Sequence, residues 1–92
     1  MISQISKTIA TQISRQTKML TMARDFVAFD SGLMFRIRNN RKIEKFIITL
    51  NASDLYDLEH VSTSKRTYHT ETLNSCKDVY VENLNEVLQS WF

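Results

Sequence analysis

Five cations fall within ten residues: Arg36, Arg38, Arg41, Lys42 and Lys45. Guanidinium and ammonium groups at this density bind oxyanions, either the phosphates of a nucleic acid or the carboxylates of an acidic protein surface. Arg36 and Arg38 are two residues apart, so on a strand they share one face. Arg41 and Lys42 fall in the turn that follows, and Lys45 lies across from the pair. The same charges also suit a solvated strand face that discourages edge-to-edge pairing. Nucleic-acid binding by stacking needs exposed aromatics beside the cations, and Phe35 alternates to the opposite face. The five residues are therefore a candidate partner-binding set, with an acidic protein surface favoured over nucleic acid.

Other chemistry-bearing residues form weaker patterns. His60 and His69, with Cys76 and Glu71, offer metal-ligating atoms, but their spacing matches no zinc pattern, and both histidines read as surface residues. Cys76 is the only cysteine. It has no disulfide partner within the chain and is expected to cover the entry to the last helix. Asp57 and Glu59 alternate onto a wet strand face, within reach of Lys45 or Arg36 across strands. A single glycine, Gly32, rules out a Gly-rich phosphate loop. Trp91 reads as packing on the sheet, and Phe92 as either a frayed end or a partner anchor. No catalytic residue, metal site or cofactor is expected.

These residues must be positioned by a small domain. The chain has 92 residues, 42% hydrophobic and 24% charged, which fits one globular domain over 1–92. Net charge is +2, but residues 1–50 hold nine basic and three acidic side chains while 51–92 hold three and seven. The longest uncharged run, 46–53, is far short of the roughly 20 residues of a membrane span. One cysteine suits a reducing compartment, and the first residues lack the pattern of a secretory signal. A cytoplasmic protein without membrane association is expected.

Ile2, Ile5, Ile9 and Ile13 recur at helical spacing and predict a first helix over about 3–15. Ser14 to Thr17 is polar and weak in helix propensity, which predicts a break before a short second helix to about 23. The apolar stripe is expected to continue through Met19, Leu20, Met22 and Ala23. Strands are predicted over 25–30, 33–38, 43–50, 55–61 and 67–73. Leu33, Phe35 and Ile37 face one side of the second, and Met34, Arg36 and Arg38 the other. Gly32 is expected at the first reversal because it reaches positive φ without strain. Asp78 is expected to cap a last helix whose stripe is Val81, Leu84, Leu88 and Trp91. The pattern is an α+β fold: an N-terminal helix, kinked or split, an antiparallel meander of four to five strands, and a C-terminal helix packed on one sheet face.

The blocks Lys18-Met19-Leu20-Thr21-Met22-Ala23-Arg24-Asp25-Phe26, Gly32-Leu33-Met34-Phe35-Arg36-Ile37, Ile48-Thr49-Leu50-Asn51, Asp54-Leu55-Tyr56-Asp57 and Val79-Tyr80-Val81-Glu82-Asn83-Leu84 follow one another in this order. Together they resemble a family of small uncharacterised proteins of tailed bacteriophages and related mobile elements. The resemblance implies no site residues. It implies a setting in which small proteins without catalytic motifs bind host proteins. The leading expectation is an anti-defence inhibitor, with an anti-CRISPR as the specific candidate, that occludes a host effector as a monomer or homodimer. The alternatives are a nucleic-acid-binding accessory protein using the same cations and a homo-oligomeric structural protein.

Overall fold

In the computed structural model, residues 4–37 and 42–91 are described. Two short helices, α1 (Gln4–Gln12) and α2 (Arg15–Thr21), precede five strands: β1 (Arg24–Phe29), β2 (Gly32–Ile37), β3 (Lys42–Leu50), β4 (Tyr56–Ser64) and β5 (Thr70–Val79). A 3-10 turn over Val81–Asn83 leads into α3 (Leu84–Ser90). The strands form one antiparallel sheet in sequence order, β1-β2-β3-β4-β5. This is the α+β meander expected from the hydrophobic periodicity.

The core lies on one face of the sheet. Leu33, Phe35 and Ile37 of β2, Phe46 and Ile48 of β3, and Tyr56 and Leu58 of β4 meet Ile9 and Ile13 and, from α3, Leu84 and Leu88. The isoleucine stripe of α1 therefore packs on the sheet; Ile2, its first member, lies outside the described residues. Among the described residues, no helix lies on the opposite face. Among the described residues, no helix is long and apolar enough to cross a membrane.

The break between α1 and α2 is built from polar groups. Ser14 caps α2, accepting at Oγ from the Thr17 N–H at 3.1 Å. Asn85 of α3 closes the junction: its Oδ1 accepts from the Ser14 N–H at 2.7 Å and from Thr17 Oγ1 at 2.9 Å, and its Nδ2 donates to the Gln12 carbonyl at 3.0 Å. This corrects the stripe expected for α2. Its buried residues are Thr17 and Thr21, whereas Met19, Leu20 and Met22 are exposed. A threonine face is tolerated inside because Asn85 and Gln89 supply partners for Thr17, and Thr21 Oγ1 donates to the Thr17 carbonyl.

The C-terminal third also departs from expectation. The turn after β4 falls at 65–69, where Ser64 Oγ accepts from the Arg66 and Thr67 N–H groups and Tyr68 adopts φ 58°. The fifth strand consequently runs over Thr70–Val79 rather than 67–73. Asp78 is its penultimate residue and does not cap α3. Its carboxylate instead accepts from Asn51 Nδ2 at 2.8 Å, and its N–H donates to Asp57 Oδ1 at 3.2 Å. Val81, placed in the helix stripe by its spacing, is exposed in the 3-10 turn. Cys76 sits mid-strand opposite Leu58 and packs against the core, well before the helix entry.

Asp57 joins the β3–β4 turn to the end of β5. Donation from Asn51 Nδ2 at 3.0 Å, then from the Asp78 N–H, holds its carboxyl below the usual carboxylate range. A lowered native pKa stabilises the fold above the unfolded value and loses that contribution as pH falls through the native one. Asp57→Asn is expected to flatten the acid limb of the stability–pH curve while changing neutral stability by less than about 1 kcal/mol, because the carboxylate is near water. Urea titrations from pH 7 down to about pH 2 read this directly, and an unchanged acid limb would contradict it.

Candidate partner-binding face

Side chains on the helix-free face line up in cross-strand rows because register places them opposite one another. One row reads Val27, Met34, Ile47, Glu59 and Ser75 from β1 to β5. The next reads Arg24, Arg36, Lys45, Val61 and Thr72. Three cations on three adjacent strands thus lie beside three apolar side chains. Like charges facing each other directly disfavour pairing, so this row does not stabilise the sheet. Asp25 Oδ2 approaches Arg36 Nη1 at 3.4 Å, with side chains 59% and 30% exposed. An ion pair so open contributes well under about 1 kcal/mol and yields readily to another anion. The Arg36 Nε is buried and lacks a hydrogen-bond partner among the described residues.

The structure regroups the five sequence candidates. Arg36 and Lys45 are brought together as direct neighbours. Lys42 opens β3 rather than sitting in the turn, and it alternates with Glu44 and Phe46 onto the helix-bearing face, away from Arg36. Arg38 and Arg41 lie outside the described residues. Arg24 was missed by alternation, which puts it with Phe26 and Ala28 on the core side. The register shift between Arg24 and Val27, with Asp25 at φ 54°, inserts one residue and returns Arg24 to the open face. The usable sequence signal was the aspartate, a residue that tolerates left-handed backbone angles.

Among the described residues, neither Asp57 nor Glu59 pairs with Lys45 or Arg36. Asp57 is held by Asn51 and Asp78, and Glu59 lies opposite Ile47. Among the described residues, the one aromatic on this face is Phe29, half-buried against Gly32 and two rows away from the cations. Phe26 turns to the core side against Phe35 at 5.1 Å, and Phe35 and Phe46 are buried. Tyr68 and Tyr80 are exposed but sit beyond the ends of β4 and β5.

His60 is not a surface residue: it is 4% exposed, on the core face of β4. Its Nε2 lies 2.6 Å from Glu44 Oε1, and Nδ1 accepts from Asn74 Nδ2 at 3.0 Å, which puts the neutral ring's proton on Nε2. Trp91 stacks over the ring at 6.4 Å and 15°, which is the packing role expected of that residue. Both ring nitrogens are occupied, so none remains to deprotonate the buried hydroxyl of Ser62 two residues on or the thiol of Cys76. His69 lies in the exposed turn between β4 and β5, well away from His60, which is opposite Asn74. Among the described residues, no three His, Cys, Asp or Glu side chains converge as metal ligands. The arrangement supports ionic and apolar contact on the open face and a buried hydrogen-bonded histidine beneath the helices.

Comparison with family models, with curated proteins and with solved structures returns no match for this chain.

Proposed function

We propose that this protein is a binding module that occludes an acidic surface of a host protein stoichiometrically. In the setting its sequence resembles, that is an anti-defence inhibitor, with an anti-CRISPR as the specific candidate. The observation that carries this reading is the row Arg24, Arg36 and Lys45 in register across β1, β2 and β3, beside Val27, Met34 and Ile47 on a face that no described element covers. Cations give such a surface its steering and specificity, and the apolar row gives it area to bury. Among the described residues no aromatic stands directly beside the row, Phe29 lying two rows away, which favours a protein partner over single-stranded nucleic acid.

A tagged pull-down from host bacterial lysate, nuclease-treated and read by mass spectrometry, tests the partner class. Recovery of a defence effector whose activity the protein then inhibits one-to-one would support the reading. A catch lost with nuclease would transfer the cations to nucleic acid. With a partner in hand, the pair Arg36→Glu and Lys45→Glu is expected to weaken binding more than about tenfold, mostly through a slower association rate. Unchanged affinity would remove this face from the interface.

A further inference from the structure

The rows of the open face constrain the shape of a partner as well as its charge. Arg24, Arg36 and Lys45 run across the strands, one each from β1, β2 and β3. Neighbouring strands lie about 4.8 Å apart, so the three attachment points span about 10 Å. An extended segment running with the strands follows one of them and meets one cation, since on β2 the open-face residues before Arg36 are Met34 and Gly32. An extended segment running across them presents same-side residues every 6.6 Å or so, about 13 Å for three, and falls out of step. A helix rises about 1.5 Å per residue, which sets i+3 and i+7 of one stripe about 4.5 and 10.5 Å beyond i. The helical repeat is the one that matches the row.

The second row fits the same element. Val27, Met34 and Ile47 stand beside the cations on the same three strands. Val27 is 47% exposed, and Met34 and Ile47 are half-buried, so apolar area remains to be covered. A helix seated between the rows turns i, i+3 and i+7 to one and i+1, i+4 and i+8 to the other. Helices are also the elements that ordinarily bury a sheet face. On β4 the order reverses: Val61 continues the cation row and the exposed Glu59 continues the apolar row. The matching helix carries an apolar residue at i+10, over Val61, and a cation at i+11, over Glu59. Acids in its first turns and a cation toward its end are the distribution that the helix dipole favours.

We propose that the open face takes an acidic amphipathic helix of the host protein, laid across β1 to β4 with its N-terminus over β1. This assignment rests on reading the face as a site for an acidic protein surface, and it adds the form and direction of the element bound. Charge complementarity selects the acids and the cation, and the spacing of the strands selects the helix.

The probe is an alanine-based peptide with glutamate at i, i+3 and i+7, leucine at i+1, i+4, i+8 and i+10, and lysine at i+11, held helical by lactam bridges on its outer face. A peptide of the same composition in alternating order serves as the extended control. Each is titrated into the full nitrogen-15-labelled chain and followed by NMR. The helical peptide is expected to shift the amides of Arg24, Val27, Met34, Arg36, Lys45 and Ile47 and to bind about tenfold or more tightly than the control. Glu59→Lys is expected to weaken it about threefold or more, and exchanging the peptide's lysine for glutamate to recover that loss. Equal affinity of the two peptides would overturn the helix and leave the acidic-partner reading standing. That reading fails separately, when Arg36→Glu with Lys45→Glu leaves the binding of a captured host protein unchanged. No shift on this face with either peptide at about 1 mM would overturn the assignment, and so would a DNA duplex that displaces the helical peptide. A Glu59→Lys variant that binds the lysine and glutamate peptides alike would overturn the direction.

Discussion

Gly32→Ala is expected to destabilise the protein by about 3 kcal/mol or more, above the common range for overpacking. A Cβ at Gly32 would lie 2.0 Å from the Ile48 carbonyl oxygen and 2.8 Å from the Phe29 ring. Phe29 can swing aside, but the Ile48 oxygen belongs to the backbone of the central strand. Moving it disturbs the registers of β2 and β4 on β3 together. The glycine is required by proximity and not by dihedral angle, since it does not adopt positive φ. That corrects the expectation that it serves the reversal through left-handed backbone. The two explanations separate cleanly: asparagine tolerates positive φ better than alanine does, yet both carry the offending Cβ. Gly32→Asn is therefore expected to be no better than Gly32→Ala in urea midpoints with unchanged slope. A loss below about 1 kcal/mol in either would show that β3 gives way easily.

Phe46→Ala is expected to cost about 3–5 kcal/mol, a large share of the stability of a domain this size. Phe46 is fully buried at the middle of β3. Its ring meets Phe35 at 5.7 Å and 84°, His60 at 5.1 Å and 80°, and Trp91 at 6.2 Å and 65°. Edge-to-face contacts of this kind add to the burial itself. Removal leaves a cavity between the sheet and the C-terminal turn, and Trp91 loses the contact that fixes it over His60. The near-ultraviolet dichroism of Trp91 is expected to fall together with the midpoint. Tyr68→Ala, in the exposed turn, is expected to change stability by less than about 0.5 kcal/mol. Comparable losses at the two positions would mean that the core does not centre on β3.

The legible parts of the sequence were those in which side-chain type tracks one local environment. Leu33, Phe35 and Ile37 alternate with Met34 and Arg36, and the structure buries the first set. The polar stretch from Ser14 interrupted the isoleucine stripe, and the helix breaks there. Where polar residues are buried against distant partners, the pattern misled. Thr17 and Thr21 are interior because Asn85 and Gln89, 68 and 72 positions after Thr17 in the chain, arrive to satisfy it. His60 is interior because Glu44 and Asn74 flank it on neighbouring strands. Hydrophobicity assigns both groups to the surface, and only long-range hydrogen bonds reverse that.

The candidate site divides in the same way. The cluster of cations was plain in the sequence, but its grouping was not. One inserted residue near Asp25 carried Arg24 onto the open face, while strict alternation along β3 carried Lys42 off it. By itself, the sequence determined the fold class, the split N-terminal helix and the inward face of β2, because each depends on periodicity within a single element. Only the tertiary structure decided which cations stand in a row and why Gly32 is a glycine. Those depend on register and close approach between segments far apart in the chain, and local periodicity carries no record of either.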